Sequence, residues 1–62
     1  MGYEANPDSL MKYGEIYLDK AQKASQDQHI SSANIMIGYS YKFKGNLSKA
    51  LEYFFEALKY AQ

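Results

Sequence analysis

The sequence predicts an all-α fold in which three helices pack as a helical repeat. Apolar residues in the last third of the chain recur with the 3.6-residue period of an α-helix. A turn signal at Lys44-Gly45-Asn46 separates that stretch from another amphipathic stretch before it. The first third repeats part of the last third after a shift of 40 positions. Residues 1–62 are therefore interpreted as one small helical domain.

The last two predicted helices span about residues 30–44 and about residues 46–62. Gly38 lies inside the first of them, beside a stripe formed by Ile30, Ala33, Ile37 and Tyr41. Glycine in a helix costs about 1 kcal/mol relative to alanine, so Gly38 indicates the close approach of a neighbouring helix. The apolar residues of the last helix are predicted to share one face: Leu47, Ala50, Leu51, Phe54, Ala57, Leu58 and Ala61.

The first predicted helix spans about residues 7–26. Pro7 suits the first helical position, where its missing N–H has no intrahelical partner to lose, and Asn6 is a suitable N-cap. The polar run Ser25 to His29 has no helical periodicity and is predicted to connect this helix to the next.

Composition excludes several classes of function. The chain has no cysteine, so disulfides and thiolate metal sites are ruled out. Seven basic residues balance seven acidic ones, whereas nucleic-acid binding usually requires a basic excess. No apolar run approaches the roughly 20 residues that span a bilayer, and no signal peptide is visible. We expect no membrane or nucleic-acid partner, and a cytoplasmic location by default.

The second half of the chain resembles a tetratricopeptide repeat (TPR), a helix-turn-helix unit of about 34 residues. The residues that match the pattern of this family, at its spacing, are Ile37-Gly38, Tyr41, Gly45, Ala50, Phe54 and Ala57. Two positions depart from it: Asn34 stands where a large aromatic residue is usual, and Gln62 stands where a proline is usual. The resemblance implies two antiparallel helices and a role in binding other proteins.

The shift of 40 positions aligns residues 6–22 with residues 46–62 and gives five identities in 17 positions, where about one is expected. We interpret the chain as the second helix of one repeat followed by a complete repeat. The long period and the run GNLSKALEYFFEALKYA resemble the repeats of bacterial TPR-containing sensor kinases and regulators. That resemblance implies a fragment of a larger signalling or regulatory protein.

No catalytic or cofactor chemistry is predicted. His29 is the only histidine, and we expect a solvated residue of the connection rather than a metal ligand. Glu52 and Glu56 lie four residues apart, but Lys49 and Lys59 favour ordinary surface ion pairs. We expect no enzyme activity, no metal and no cofactor.

The family resemblance implies a partner-binding groove on the first helix of the complete repeat. Its residues would be Ser32, Ile35, Tyr39, Lys42 and Phe43, with an apolar-aromatic stripe suited to a protein or peptide partner. The alternative is that another helix covers this stripe as part of a core. Lys42 is its only basic residue, so a clamp for a terminal carboxylate is not expected.

Self-association is the second expected function, as a structural element without a separate ligand. One and a half repeats leave apolar surface uncovered, and a symmetric dimer is the commonest closed arrangement. The residues predicted to form the contact, because they lie off the main apolar face, are Tyr53, Phe55 and Tyr60.

Overall fold

The computed structural model describes residues 7–61 and contains three α-helices: α1 (Pro7–Lys23), α2 (Asp27–Phe43) and α3 (Leu47–Tyr60). These residues form no strand, so the predicted all-α fold of three helices is confirmed. The predicted first connection is wrong, because α1 ends at Lys23 and α2 already begins at Asp27. The last helix is predicted to reach about residue 62, but α3 ends at Tyr60 and Ala61 is its C-cap. The predicted Asn6 cap lies outside the described residues.

Both connections have the same backbone hydrogen bonds, which explains why the first is shorter than its composition suggests. In the first, the Gln26 and Ser25 N–H groups donate to the carbonyls of Ala21 and Gln22. In the second, the Asn46 and Gly45 N–H groups donate to the carbonyls of Tyr41 and Lys42. This is the Schellman arrangement, which needs a left-handed residue. Gly45 takes that conformation at φ 87°, and Ser25 takes it at φ 55° without the freedom of a glycine.

Helix α2 lies between the other two helices. It packs against both α1 and α3, whereas α1 and α3 do not contact each other. The Cα atoms span 35 × 26 × 15 Å, so the three helices form a single flat layer. In such a layer, α1 and α3 each have a neighbour on one side only.

Two glycines set how closely the helices approach, and they alternate with large residues. A Cβ atom at Gly14 of α1 would lie 2.8 Å from Cγ1 of Ile37 on α2. A Cβ atom at Gly38 would lie 2.5 Å from Cε1 of Phe54 on α3. The close approach inferred from Gly38 is therefore present, and the adjacent residues Ile37 and Gly38 of α2 serve opposite neighbours.

The core is small and includes polar side chains. Its buried apolar residues are Ala21, Ile30, Ala33, Ile37, Ala50 and Ala57. Buried Ser31 donates through Oγ to the carbonyl of Ala57, at 2.9 Å. That carbonyl belongs to the last turn of α3, where helix carbonyls lack an intrahelical partner, so α2 caps the end of α3. Asn34, also buried, donates through Nδ2 to the Ile30 carbonyl at 3.0 Å within its own helix.

An ion pair joins the first turn of α1 to the C-terminal end of α2. Lys44 Nζ lies 2.8 Å from Asp8 Oδ1. The hydrogen bond to Asp8 raises the pKa of Lys44 above its ordinary value of 10.5, while partial desolvation acts in the opposite direction. The pair is exposed, so its contribution to stability is small.

Candidate protein-interaction surface

The five residues predicted to form a groove lie on one exposed stripe of α2. Their spacing of three and four residues keeps Ser32, Ile35, Tyr39, Lys42 and Phe43 on the same side of the helix. All five are exposed, and the exposed fraction of Phe43 reaches 58%. Within residues 7–61, no other helix covers this stripe, so it is not part of a core in this chain.

The aromatic rings of the stripe are held by their neighbours. Tyr39 meets Phe54 of α3 edge to face, with ring centroids 5.4 Å apart at 72°. On its other side it stacks with Phe43, with centroids 6.3 Å apart at 24°. Lys42 Nζ lies 5.7 Å from the Tyr39 centroid, within the range of a cation–π contact. Tyr39 is therefore exposed and yet oriented before any partner binds.

An apolar groove of about 370 Å³ runs between α2 and α3 next to this stripe. The residues that line it are Ser31, Ile35, Tyr39, Phe54, Phe55, Ala57, Leu58 and Ala61. Ile35 and Tyr39 form the α2 wall, and the hydroxyl of Ser31 is already bound to the Ala57 carbonyl. Ser32, Lys42 and Phe43 do not line the groove. Phe43 stacks on Tyr39, which does.

The sequence prediction missed the α3 wall of this groove. The sequence predicts Phe54 and Leu58 on the main apolar face of the last helix and Phe55 off that face, and it does not predict that all three lie beside the stripe of α2. The signal that could have revealed the wall was the pairing of Gly38 with Phe54, because it places the Phe54 ring beside the exposed stripe of α2.

The predicted apolar face of α3 is only half covered. Ala50 and Ala57 are buried against the rest of the fold, as expected for the small residues of that face. Leu47, Leu51 and Leu58 belong to the same predicted face, but their side chains are 61%, 53% and 64% exposed. They are exposed because the apolar arc of α3 is wider than one neighbouring helix can cover, and within residues 7–61 α2 is the only helix that packs against α3.

The residues predicted for self-association do not form one surface. Tyr53 is half-buried and stacks with Tyr41 of α2, with centroids 5.5 Å apart at 18°. Tyr60 is half-buried and lies near Tyr17, beside a polar cleft at the start of α2. Phe55 is 62% exposed and belongs to the groove on the other side of α3. Seven-residue spacing keeps Tyr53 and Tyr60 together, whereas Phe55 lies about 140–160° away from them around the helix.

His29 is not a residue of the connection. It lies in the first turn of α2, where its Nδ1 atom is hydrogen-bonded to the hydroxyl of Tyr17 on α1. The two rings also meet edge to face, with centroids 5.6 Å apart. Among residues 7–61, no group of histidine, aspartate and glutamate side chains is arranged to hold a metal ion.

The charged residues of α3 behave as ordinary surface groups. Lys59 Nζ lies 3.1 Å from Glu56 Oε2, the i, i+3 pairing expected from the sequence. Over the part of the chain that the structure describes, no helix is long and apolar enough to cross a bilayer.

No protein-family model, curated protein or solved structure matches this chain at a significant level.

Proposed function

We propose that this chain is a TPR-like protein-interaction module whose α2–α3 groove binds an apolar helix or peptide of a partner protein. The observation that carries the proposal is the state of Ile35 and Tyr39. Both are large and exposed, and Phe54 and Phe43 fix the ring of Tyr39. An exposed aromatic ring that is already ordered loses little conformational entropy when a partner packs on it.

The TPR-like arrangement is supported by the regular spacing of the chain. The two connections have equivalent hydrogen bonds 20 residues apart, so two helices and two connections give the 40-residue period found in the sequence. A place in a bacterial signalling or regulatory protein follows from the sequence resemblance only and is part of the proposal.

Selection of peptides from a displayed random library tests the binding role. We expect the selected peptides to share apolar residues at helical or alternating spacing, as is usual for apolar grooves. Their affinity should fall at least about 10-fold for Tyr39→Ala, which corresponds to about 1.4 kcal/mol. Tyr13→Ala is the matched control, because Tyr13 is an exposed tyrosine of α1 on another part of the surface.

Equal binding of the selected peptides to Tyr39→Ala and to the unchanged chain would overturn the groove as the binding site. Preservation of the helix content of both variants, measured by circular dichroism, shows that the comparison concerns the surface and not folding.

Self-association is a second candidate function, and one specific observation favours it. Leu58 lines the groove, and the exposed Leu51 and Leu47 follow it along α3, so the same surface suits another copy of the chain. In that case Tyr39→Ala lowers the mass of the assembly, and no separate partner is needed.

A further inference from the structure

Helix α3 carries a seam with the spacing of a two-helix coiled coil. The seam is only partly covered, because α2 reaches Phe54 and leaves the leucines exposed. Leu47, Leu51, Phe54 and Leu58 are separated by four, three and four residues, which is the alternation of the a and d positions of a heptad. We call these four residues the α3 seam. Its three leucines are each more than half exposed. Such a seam is typical of a helix that packs along another helix at a small crossing angle.

Helix α1, whose residues correspond to those of α3 after a shift of 40 positions, shows which side of the repeated pattern is covered when it packs against α2. Met11 and Leu18 of α1 correspond to Leu51 and Leu58. Met11 and Leu18 are half-buried in α1, which packs against α2, whereas Leu51 and Leu58 are exposed.

The opposite side of the pattern shows the reverse arrangement. Tyr53 of α3 is half-buried and stacks on Tyr41 of α2, whereas the corresponding Tyr13 of α1 is 66% exposed. The two related helices thus meet α2 with overlapping faces, which share the position of Gly14 and Phe54 but are rotated so that Leu51 and Leu58 stay exposed. It follows that the seam side of α3 is a helix-packing surface whose neighbour is missing within residues 7–61.

The positions that directly flank the α3 seam carry no charge that would oppose an identical helix. Coiled coils usually have charged residues there, whereas α3 has Ala50 and Ala57, which are buried in this fold, and Ser48 and Phe55 on the exposed side. Phe55 stands where α1 has the charged residue Glu15, so α3 is more apolar here than its counterpart. The chain also has a formal net charge of zero, so two copies do not repel each other strongly.

The exposed surface is large enough for a dimer contact. Phe55 and Leu58 line the groove together with Ile35 and Tyr39, on which Phe43 stacks. Leu47 and Leu51 extend this exposed surface along α3. A fully buried aromatic side chain contributes about 150–250 Å², so these half-exposed groups contribute roughly 100 Å² each. The total is roughly 700 Å² per copy, close to the roughly 800 Å² that each partner contributes to a standard interface.

We propose that this chain forms a symmetric dimer in which the α3 seam packs against the α3 seam of a second copy. An apolar seam with uncharged flanking residues fits an identical seam, as a twofold contact requires. The dimer uses the α3 wall of the groove and thus rests on the second candidate function. A bound partner peptide and the second copy compete for Phe55 and Leu58.

Sedimentation equilibrium of the full chain, from about 5 to about 500 µM, tests the dimer. We expect the mass to rise from that of one chain towards that of two and to stop there. Leu51→Lys should weaken the dimer at least about 10-fold, because it places a charge in the apolar contact. Tyr13→Lys is the control, since Tyr13 is similarly exposed on α1, and it should leave the dimer unchanged.

Three results would overturn the proposal: a single-chain mass at every concentration, growth beyond two chains, or equal effects of the two lysine substitutions. Leu58→Lys is a second probe of the same contact, and helix content by circular dichroism verifies that each variant is folded. A monomer that still binds selected peptides through Tyr39 refutes the dimer and leaves the binding module standing. A dimer for which no Tyr39-dependent peptide is found supports the dimer and refutes the binding module.

Discussion

Replacement of Gly38 by alanine places a methyl group where the ring of Phe54 now lies. The new Cβ atom would be 2.5 Å from Cε1 and 2.8 Å from Cδ1 of that ring. Ordinary carbon contacts are about 3.5–4.0 Å, so the ring must move by about 1 Å. Tyr39 meets the same ring edge to face and opposes this movement.

Two opposing terms determine the change in the free energy of unfolding. Alanine is favoured over glycine inside a helix by about 1 kcal/mol. An added methyl group in a packed site typically costs about 1–3 kcal/mol. We therefore expect Gly38→Ala to destabilise the chain by about 1 kcal/mol, which lowers the Tm of a domain of this size by about 4–8 °C.

Urea denaturation followed by circular dichroism measures this change, with all variants at one low protein concentration because dimer formation would add to the apparent stability. In the background of Phe54→Ala the ring is absent, so Gly38→Ala should stabilise the chain by about 1 kcal/mol through helix propensity. Gly14→Ala is the control. Its Cβ atom would meet Ile37 at 2.8 Å and not Phe54, so Phe54→Ala should not reverse its effect.

The sign of the change in the free energy of unfolding shows whether the Phe54 ring fills the space above Gly38. If Gly38→Ala stabilises the otherwise unchanged chain by the full propensity gain, the ring of Phe54 does not fill the space above Gly38. The inference that this glycine sets the distance between α2 and α3 would then be refuted.

Three further substitutions test the fold. Ser31→Ala should lower the free energy of unfolding by about 1–3 kcal/mol, because it leaves the Ala57 carbonyl without its partner. Replacement of the exposed Ser32 by alanine should change it little, and an equal effect of both substitutions would refute the cap. Ser25→Gly should stabilise the chain by up to about 1 kcal/mol in thermal unfolding, because glycine adopts a positive φ without strain; a lower Tm would contradict this. The pKa of Lys44 is raised on folding, so its stabilising contribution is fully present below pH 10.5 and is lost as the pH rises through the higher folded value. The stability difference between the unchanged chain and Lys44→Met should therefore shrink above about pH 10.5, and a difference that grows with pH would be inconsistent with the ion pair.

The sequence predicted the three helices and the contact at Gly38 because both leave local signals. Helical periodicity is visible in any window of a dozen residues, and a glycine inside such a pattern has few explanations other than close packing. The first connection was misjudged because Ser25 takes the left-handed conformation that glycine usually marks, so the turn lacks its usual signal.

The covered sides of the helices could not be predicted in the same way. Periodicity shows that Leu51, Leu58, Ala50 and Ala57 share an apolar arc, but it does not show how much of that arc a neighbour covers. Coverage depends on the number of neighbours, and α3 has only one in the flat layer. The stacking of Tyr53 on Tyr41 is likewise a contact between helices that no local pattern reveals.

The central claim is that the uncovered side of α3, together with Ile35 and Tyr39, is an interaction surface. Amide chemical shifts recorded by NMR over a range of protein concentrations test this claim residue by residue. The account predicts that the shifts of Leu51, Leu58 and Tyr39 change with concentration, whereas those of Tyr13 on α1 stay constant. Changes centred on Tyr13, or no change at Leu51, Leu58 and Tyr39 either at chain concentrations up to about 500 µM or on addition of a selected peptide, would contradict it.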